Sequence, residues 1–598
     1  MQPQFAVGID LGTTNCVVAF VPLDDKEGVP QILPIPQIVQ VGQVESSTSL
    51  PSFLYLPRDG EVAALQSPLG LDPTTGVAGR YARSQAADNP QRVVVAAKSW
   101  LCHSRQGRND DILPWQASAE VNKVSAFDCT TRFLQHLVAA WQAAYPDAPL
   151  AHQQVVLTVP ASFDPAAREL TRKAALLAGL PTDFVLLEEP QAAVYHWLVQ
   201  QGSAWRRTLA ADDTILVVDV GGGTTDLTLV QVAQQDGELV LQRVAVGNHL
   251  LVGGDNMDLT LAHVAAQQLD AEGHSLDPWQ SVSLWHACRE TKEKLLDAGG
   301  PPEHSIAVLG RGSSLIGGTV TTSISREVAS TILVDGFFPT CNLTDRPQRN
   351  VASGFQDIGL PYESDPAITK QIAAFISDHQ SGDNLPTHLL VNGGVFRSRV
   401  ICQRLLDVLR SWCGDQLCQL QCDQLDSAVA LGAAHYGWTK QRGGVRIRGG
   451  TARSYYIGIE TAGLAIPGMP RPLRALCVAS QGMEEGTAVD VPSDPVGIVV
   501  GTTARFRFFS STLRADDQVG TQLARWGEEE LRESEPIELL LGSESATDEP
   551  FVPVQFHSRV TELGMFELWC HATRGDEKWK LEFNVREEEP NAATRDPT

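Results

Sequence analysis

Two stretches of the chain repeat one pattern of apolar and polar positions. In residues 5–22 the apolar runs FAVGI and CVVAFVP flank DLGTTN, and in residues 215–230 the runs ILVV and LTLV flank DVGGGTTD. Apolar, β-branched runs joined by a glycine-containing polar turn are typical of β-hairpins. The sequence therefore predicts two related hairpins, far apart in the chain, and a duplicated protein whose two lobes bring them to a shared cleft.

Between the hairpins, residues 153–198 read as strand, helix, strand and helix. The first helix is expected to begin near Asp164 and Pro165 and to end at Gly179, because these residue types suit helix termini. The second strand ends in Glu188 and Glu189. A carboxylate at the C-terminal end of a strand lies where open α/β sheets bind ligands. A solvated strand-end charge is the simpler interpretation of the same residue.

Several later segments continue the alternation. They comprise a strand, Gly-Gly turn and helix over 246–266, a charged amphipathic helix over 284–296, a second strand, Gly-Gly turn and helix over 388–400, and a small-residue helix over 424–438, with Asp426 or Ser427 near its N-terminus. Strands alternating with helices predict an α/β fold class for residues 1–440.

The pattern changes in the last quarter of the chain. Residues 441–452 are rich in glycine and arginine, show no packing pattern, and are expected to form a linker. Residues 453–586 contain short apolar runs separated by turn residues, which predict an all-β sandwich. Residues 587–598 are acidic and polar, and are expected to be a disordered tail.

Composition narrows the classes of function. With 598 residues, 43% hydrophobic and 20% charged, the chain is typical of a multidomain globular protein. Its formal net charge of −25 argues against nucleic acid and anionic membranes as partners. The N-terminus enters a strand at once, and no apolar run is long enough to span a bilayer. Eleven scattered cysteines indicate reduced thiols and a cytoplasmic protein.

One cysteine cluster offers an alternative. Cys413, Cys418 and Cys422 lie close together, but without the CxxC spacing of a zinc site. We expect structural thiols here, and a metal site is the less favoured interpretation.

The hairpin turns carry candidate chemistry. In the first turn, Gly12 permits a tight backbone, Thr13 and Thr14 provide hydroxyls, and Asp10 provides a carboxylate. Amides and hydroxyls suit phosphate oxygens, and a carboxylate suits a divalent cation. One such turn could equally be an ordinary polar turn. The second turn repeats the residue types, which favours the phosphate interpretation; its residues are Asp219, Gly221, Gly222, Gly223, Thr224, Thr225 and Asp226.

Lys98 follows the apolar run RVVVAA. Such a lysine is most often a surface group with a buried stem. In a phosphate cleft it could instead meet the terminal phosphate as a point charge.

The ordered set VGIDLGTTN, TVPASF, EEPQAAV, VVDVGGGTTD, VGGDNMD, VNGGVFR and DSAVALGAA resembles the heat-shock-70 (DnaK-type) chaperones, members of the actin-like ATPase superfamily. The resemblance covers about residues 5–440. It implies a duplicated, two-lobed actin-like (ribonuclease H-like) domain that hydrolyses ATP to ADP with Mg²⁺, and leaves K⁺ open as an additional ion.

The resemblance also implies a role for each matching position. Asp10 and Asp219 match the carboxylates that hold Mg²⁺ largely through water, Glu189 matches the residue that orders those waters, and Lys98 matches the lysine at the terminal phosphate. Positions matching phosphate contacts or the nucleotide pocket are Gly12, Thr13, Thr14, Gly221, Gly222, Gly223, Thr224, Thr225, Asp226, Gly253, Gly254, Lys292, Gly393, Gly394, Arg397 and Asp426.

Coupling and client binding follow from the same resemblance. Pro160 and Arg168 match residues that relay the nucleotide state to the partner domain; the simpler interpretation is a turn proline and a helix arginine. Residues 453–586 resemble the start of the family's substrate-binding domain. The implied partners are unfolded or specific client polypeptides, a J-domain co-chaperone and a nucleotide-exchange factor. No counterpart of the helical lid is recognisable, so we expect bound peptides to dissociate quickly.

Departures from the family concern the adenine side and the linker. Arg289 and Leu296 stand where the family has glutamate and serine, Val395 replaces a small polar residue, and Ser99 replaces an arginine. The family's acidic, leucine-rich linker is also missing. The phosphate half of the site is therefore better supported than the adenine half.

Three other functions compete with an ATP-dependent chaperone. A small-molecule kinase would share the hairpins but would not explain Lys98, TVPASF and the β-domain together. A filament-forming ATPase would not need the β-domain. The only argument against a scaffold that binds ATP with little turnover is the presence of Lys98, Glu189 and both aspartates.

Overall fold

The computed structural model describes residues 2–584 except for 103–107, 116, 162, 164, 236–237, 248–249, 309–318, 349–361, 380–383, 444, 446, 450, 452, 461–472, 500–502, 512, 515, 528–529, 534–536, 541–550 and 562–564. The chain divides into two compact units, residues 1–447 and 448–598. The tail predicted at 587–598 and the helix-capping side chain of Asp164 lie outside the described residues.

The first unit contains both strands and helices. Its strands are β1 Phe5–Leu11, β2 Asn15–Pro22, β3 Gln31–Ile32, β4 Ile35–Gln40, β5 Gln43–Ser47, β6 Leu50–Pro51, β7 Leu54–Tyr55, β8 Val77–Ala78, β9 Val93–Val94, β10 Gln154–Val159, β11 Val185–Glu188, β12 Thr214–Val220, β13 Thr225–Gln235, β14 Glu238–Val246, β15 Glu303–Val308, β16 Val320–Ser325, β17 His388–Asn392, β18 Cys418–Leu420 and, at the unit boundary, β19 Ile447–Arg448.

The helices of this unit are α1 Arg80–Asp88, α2 Ala97–Leu101, α3 Ala126–Ala144, α4 Pro165–Ala178, α5 Glu189–Gln201, α6 Trp205–Thr208, α7 Gly254–Ala271, α8 Pro278–Leu295, α9 Arg326–Phe337, α10 Ile368–His379, α11 Arg399–Cys413 and α12 Ala428–Arg442. Side chains that accept a hydrogen bond from the first-turn amides begin several of them, including Ser125 for α3 and Asp277 for α8. Among the described residues, none of the helices has both the length and the apolar character needed to cross a lipid bilayer.

Two sheets of the first unit have the same topology. One has the order β11-β10-β1-β2-β3, and the other has the order β18-β17-β12-β13-β14. In each, the first three strands in sequence pair antiparallel and the last two extend the sheet in parallel. The α/β class is therefore observed, and the repeated order fits the duplicated, actin-like arrangement that the resemblance implies.

The two sheets share one hydrophobic core around α5. Val156 and Leu187 from the first sheet and Val217 and Leu390 from the second belong to the same buried cluster as Val194 of α5. Helix α12 packs along α5 and against β1. The backbones of α5 and α12 touch, since a Cβ added at Gly432 would lie 1.8 Å from the Ala192 carbonyl oxygen. The lobes are thus joined at the base of the cleft.

The segment expected to be a linker is partly integrated into this unit. Helix α12 continues to Arg442, and β19 lies beside β14 at the edge of the second sheet. Ile447 is buried, and its amide donates a hydrogen bond to the Tyr195 hydroxyl at 2.9 Å. Val445 packs against the same core. The prediction that residues 441–452 form a linker without packed side chains is therefore wrong for Val445 and Ile447.

The second unit consists of β-strands in its described part. They are β20 Ser454–Glu460, β21 Leu473–Ala479, β22 Thr487–Asp490, β23 Val496–Val499, β24 Thr503–Phe506, β25 Phe508–Ser511, β26 Gln522–Leu523, β27 Arg532–Glu533, β28 Ile537–Leu540, β29 Phe551–Val560, β30 Met565–Ala572 and β31 Lys578–Asn584. Two five-stranded antiparallel sheets, built on β20–β21 and on β29–β31, contribute to one hydrophobic core. This arrangement agrees with the all-β class predicted for 453–586.

Candidate functional site

The turns of the two predicted hairpins lie in contact with each other. The first joins β1 to β2, and the second joins β12 to β13. A Cβ added at Gly222 would lie 2.3 Å from Thr14 Oγ1, and one added at Gly223 would lie 2.2 Å from Ser99 Oγ. Only glycine allows so close an approach, which explains the glycine run in the second turn.

Neighbouring elements hold each turn in place. Ser52 donates a hydrogen bond from its hydroxyl to the Gly12 carbonyl at 2.7 Å and from its amide to the Thr14 carbonyl at 2.9 Å. In the second turn, the carbonyls of Gly221 and Gly222 accept hydrogen bonds from the first amides of α7. Both turns are therefore fixed before any ligand binds.

A cavity of about 340 Å³ lies over the two turns. Such a volume falls in the range of small-molecule and cofactor sites. The cavity brings together most of the residues predicted from the sequence, namely Asp10, Gly12, Thr13, Thr14, Lys98, Glu189, Asp219, Gly221, Gly222, Thr224, Asp226, Gly254, Lys292, Gly393, Gly394, Arg397 and Asp426.

Three predicted ligand-binding residues do not line this cavity. The Thr225 hydroxyl donates to the Val252 carbonyl at 2.8 Å, so it faces the protein interior. Gly253 packs against the carbonyls of Gly221 and Gly222, and Gly223 packs against Ser99. These residues shape the second turn, and the prediction of direct ligand contact is not supported for them.

Lys98 and Glu189 form a buried ion pair at the floor of the cavity. Lys98 is 8% exposed, so its interpretation as a surface lysine is wrong. Ala96, which precedes α2, has a left-handed backbone with φ 53°. A non-glycine residue in this region is strained, and such strain concentrates at functional sites. The residue that leads into the short helix carrying Lys98 is therefore strained.

Two further carboxylates, those of Asp10 and Asp219, interact electrostatically with this pair. Burial raises the pKa of Asp10 to about 6, that of Asp219 to about 7 and that of Glu189 to about 8. Burial alone would lower the pKa of Lys98, but Glu189 and Asp10 raise it above its ordinary value. Burial therefore disfavours the charged forms of these carboxyls, and a bound cation would favour them.

The donor set fits Mg²⁺ held through water. Among the described residues, no three carboxylate, histidine or cysteine side chains are close enough together to ligate one ion directly. Mg²⁺ usually keeps several waters and takes only one or two carboxylates from the protein. Asp10 and Asp219, at the ends of equivalent strands, are suited to bind those waters.

Asn392 is a cleft residue that the sequence did not reveal. Its side-chain amide donates a hydrogen bond to Asp219 Oδ2 at 2.8 Å, and it is 2% exposed. Its Oδ1 has no hydrogen-bond partner in the described part of the chain, and the residue lines the cavity. Asn392 therefore orients the Asp219 carboxylate. Its position at the end of β17, directly before Gly393, was the available signal.

Asp219→Asn is expected to weaken Mg²⁺-dependent nucleotide binding by roughly 10–100-fold, the usual effect of disturbing the groups around a metal. The side chain keeps its shape and can still accept the Asn392 hydrogen bond, so only the charge is lost. Titration of ADP at several Mg²⁺ concentrations measures the effect. Asp183→Asn, at an exposed position between α4 and β11 that does not line the cavity, is the matched control. Wild-type affinity that does not depend on Mg²⁺ in Asp219→Asn would contradict the assignment.

Charged residues of α7 and α8 form a closed network on the far wall. Arg289 pairs with Asp255 and with Asp258, the latter at 3.0 Å. Lys292 Nζ lies 2.6 Å from Asp258 Oδ1 and donates to the Gly254 carbonyl at 2.7 Å. Lys292 lines the cavity as predicted, but its ammonium is bound to α7. The helix over 284–296, predicted only as charged and amphipathic, therefore pairs two of its cations with buried aspartates of α7.

A second buried charge cluster lies behind Glu189. Glu188 has no exposed surface, and its carboxylate lies 2.7 Å from Arg243 Nη1 on β14 and 3.8 Å from Arg168 Nη2 on α4. Arg168 also donates to the Ala161 carbonyl, in the turn that begins at Pro160. The relay predicted for Pro160 and Arg168 stays a prediction, but both residues contact this cluster or its adjoining turn.

The three clustered cysteines differ in environment. Cys413 is buried at the end of α11, Cys418 is exposed, and Cys422 is partly buried. Burial raises the pKa of the Cys413 thiol to about 11 and that of Cys422 to about 12, so both are protonated thiols.

Comparison with known proteins agrees with this geometry. The family model of the Hsp70 proteins matches residues 67–298. A chaperone protein HscA homolog from Bordetella petrii is 29% identical over 342 residues, which are 56% of this chain and 47% of the relative. The chaperone protein DnaK of Thermotoga petrophila is 27% identical over 295 residues, or 49% of this chain and 41% of the relative.

The chain is similar to the heat-shock-70 proteins over these residues. It spans about half the length of the curated relatives it matches. The residues matched by the family model include Lys98, Glu189 and the second hairpin turn, whereas Asp10 and the Gly393 turn lie outside 67–298. The structure therefore shows that residues outside the family match line the same cavity as residues within it.

Proposed function

We propose that this protein hydrolyses Mg-ATP to ADP and phosphate in the cleft between its lobes. One observation carries the proposal: the two glycine-threonine turns, with Asp10 and Asp219 at their bases, meet directly above the buried Lys98–Glu189 pair. Phosphoryl transfer depends mostly on positioning and on stabilising spread negative charge, and this set of groups provides both.

Each residue has a defined part in this proposal. Lys98 donates to an oxygen of the terminal phosphate, and the amides and hydroxyls of the two turns bind the remaining phosphate oxygens. Glu189 accepts a hydrogen bond from the attacking water and orients it. When bound, Mg²⁺ neutralises phosphate charge and holds the oxygens in place. Asp10 and Asp219 bind the waters around the ion, and Asn392 keeps Asp219 oriented.

We further propose that hydrolysis regulates polypeptide binding by the second unit, as in a chaperone. Support comes from the relatives, which are chaperone proteins by name, and from the β-rich unit that follows the ATPase unit. Unfolded or specific client polypeptides would be the ligands, with a J-domain protein and a nucleotide-exchange factor as regulators. The proposed compartment is the cytoplasm.

A single-turnover experiment with and without an unfolded peptide tests this coupling. We expect peptide to accelerate ATP hydrolysis in the full chain by several-fold and to leave residues 1–448 unaffected. The fragment must keep Ile447, which is buried in the core of the first unit. Circular dichroism and ATP binding check that the fragment is folded.

Each outcome separates two functions. Stimulation confined to the full chain supports a coupled chaperone. Equal hydrolysis under all conditions would contradict the coupling and leave an actin-like ATPase whose β-unit serves another role. A kinase would transfer the phosphoryl group to a hydroxyl compound, so a parallel reaction with such a compound added would consume ATP without releasing phosphate.

A further inference from the structure

A second cavity, of about 610 Å³, lies between α1 and α8. Asn15, Arg83 and Arg289 line both this cavity and the one over the hairpin turns, so the two cavities adjoin. The Ser283 hydroxyl of α8 donates a hydrogen bond to the Ala87 carbonyl of α1 at 2.9 Å. Because α1 belongs to the first half of the unit and α8 to the second, the second cavity lies where the two halves meet.

Three arginines supply the charge of this lining. Arg80 and Arg83 come from α1, and Arg289 comes from α8. The one carboxylate among the lining residues, that of Glu290, lies 2.5 Å from Lys294 Nζ and is 65% exposed. The lining therefore has a local excess of positive charge in a chain whose formal net charge is −25, and such a local excess favours an anionic ligand.

The two arginines of α1 keep unused donors. Arg80 donates through Nη1 to Glu45 at 2.6 Å, and its other side-chain N–H groups have no partner among the described residues. Glu45 does not line the cavity. The carboxylate of Glu293 lies 3.9 Å from Arg83 Nη2, which is beyond hydrogen-bonding distance. Both guanidinium groups can therefore donate to a ligand in the cavity.

Arg289 is held in place from both halves of the unit. Its Nη2 and Nε bind Asp255 and Asp258 of α7, and its guanidinium carbon lies 5.5 Å from the centre of the Phe53 ring, just before β7. Its Nη1 has no hydrogen-bond partner in the part of the chain that the structure describes. The arginine at this position, where the resemblance leads one to expect glutamate, reverses the charge of the α8 wall.

Neutral donors complete the lining. The side-chain hydroxyls of Ser47 and Ser49 make no hydrogen bond to another described residue, and both residues are partly buried. Burial and the nearby Arg289 lower the pKa of His286 to about 3, so its imidazole is neutral and adds an N–H donor without charge. Guanidinium groups and hydroxyls together are the donors that bind the oxygens of a phosphate group.

We propose that this second cavity binds a phosphate group, held by Arg80 and Arg83 of α1 and by Arg289 of α8. The volume admits either inorganic phosphate or a small phosphate ester. A phosphate group at this place connects the two halves of the unit, because its oxygens accept hydrogen bonds from both helices. The inference concerns a site beside the proposed nucleotide site and does not depend on ATP hydrolysis.

Arg80→Gln is expected to weaken the binding of phosphate to the full chain by roughly 10–100-fold, the usual loss when a hydrogen bond from a charged donor is removed. Arg80 lines the second cavity and not the first, so its effect reports on this site alone. Equilibrium dialysis with radiolabelled inorganic phosphate measures the affinity and the number of phosphates bound per chain. Competition by ribose 5-phosphate distinguishes the sources: an ester that displaces phosphate at a lower concentration identifies an esterified ligand, and a weaker one identifies inorganic phosphate.

Two further variants locate the bound phosphate. Arg58→Gln is the matched control, because Arg58 is an exposed arginine paired with Glu61 at 2.9 Å and lines neither cavity. Lys98→Ala changes the other cavity and should keep the affinity that Arg80→Gln loses. Binding that is lost in Lys98→Ala and retained in Arg80→Gln would place the phosphate over the hairpin turns and overturn the proposal. Failure of the unchanged chain to bind millimolar phosphate or the ester would also overturn it, whatever the chain does with ATP.

Discussion

Lys98→Ala is expected to lower the single-turnover rate of ATP hydrolysis by roughly 10²–10³-fold, the usual loss when one preorganised charge-stabilising donor is removed. Lys98 is the cation whose side chain lies at the cavity floor, in contact with Glu189. Its ammonium stabilises charge that grows at the terminal phosphate during transfer. Quenched-flow hydrolysis gives the rate, and equilibrium titration with a fluorescent ATP analogue should show that binding remains measurable.

Lys173→Ala is the control for this variant. Lys173 lies on α4, 60% exposed, in a surface pair with Glu169 at 3.7 Å. The Lys173→Ala variant should hydrolyse ATP at the wild-type rate. Because Lys98→Ala also leaves Glu189 buried without its partner, thermal unfolding should accompany the kinetics, and Lys98→Ala/Glu189→Gln should recover stability without recovering hydrolysis. A wild-type single-turnover rate in Lys98→Ala would remove the assignment of the phosphate site.

Arg243→Met is expected to destabilise the first unit by about 3–5 kcal/mol, the usual cost of removing one partner of a buried ion pair. Glu188 has no exposed surface, and Arg243 provides its nearest positive charge, at 2.7 Å. The remaining arginine, Arg168, lies 3.8 Å away. Urea unfolding followed by far-UV circular dichroism measures the loss, with tryptophan fluorescence as a second probe of the same transition.

Arg206→Met is the matched control, because Arg206 pairs with Glu238 at 3.7 Å on the surface of the same unit. Exposed pairs contribute about 0–1 kcal/mol, so this variant should unfold close to wild type. Arg243→Met/Glu188→Met should be less destabilised than the sum of its single changes, since neither buried charge is then left alone. Equal small losses in Arg243→Met and Arg206→Met would contradict a structural role for the cluster.

Local pattern was enough to predict both hairpins and the residues of their turns, whereas the other residues around the cavity were predicted from the family resemblance. The turns are specified by adjacent residues, so Asp10 and Asp219 could be placed at strand ends from the sequence alone. The burial of Lys98 could not, because it depends on Glu189, which lies in a different element. The family resemblance, and not the local pattern, indicated that Lys98 lies at the terminal phosphate.

Contacts between distant residues account for what the sequence did not show. Asn392 reaches Asp219 across a pair of parallel strands, and Glu188 reaches Arg243 in the other sheet. Neither pairing leaves a local signal. Thr225 illustrates the reverse case: its residue type matches a phosphate ligand, but strand alternation turns its hydroxyl toward Val252. Val445 and Ile447 are only two apolar residues in a polar segment, which is too short a pattern to predict a strand.

The backbone contact between α5 and α12 limits how the cleft can open. At this crossing, Gly432 meets the Ala192 carbonyl with no side chain between the helices. The helices cannot approach further, and separating them would break the core that both lobes share. A side chain at position 432 would push α12 away from α5, because it would overlap the Ala192 carbonyl. Since α12 also packs against β1, which carries Asp10, such a change would disturb the first hairpin as well as the core.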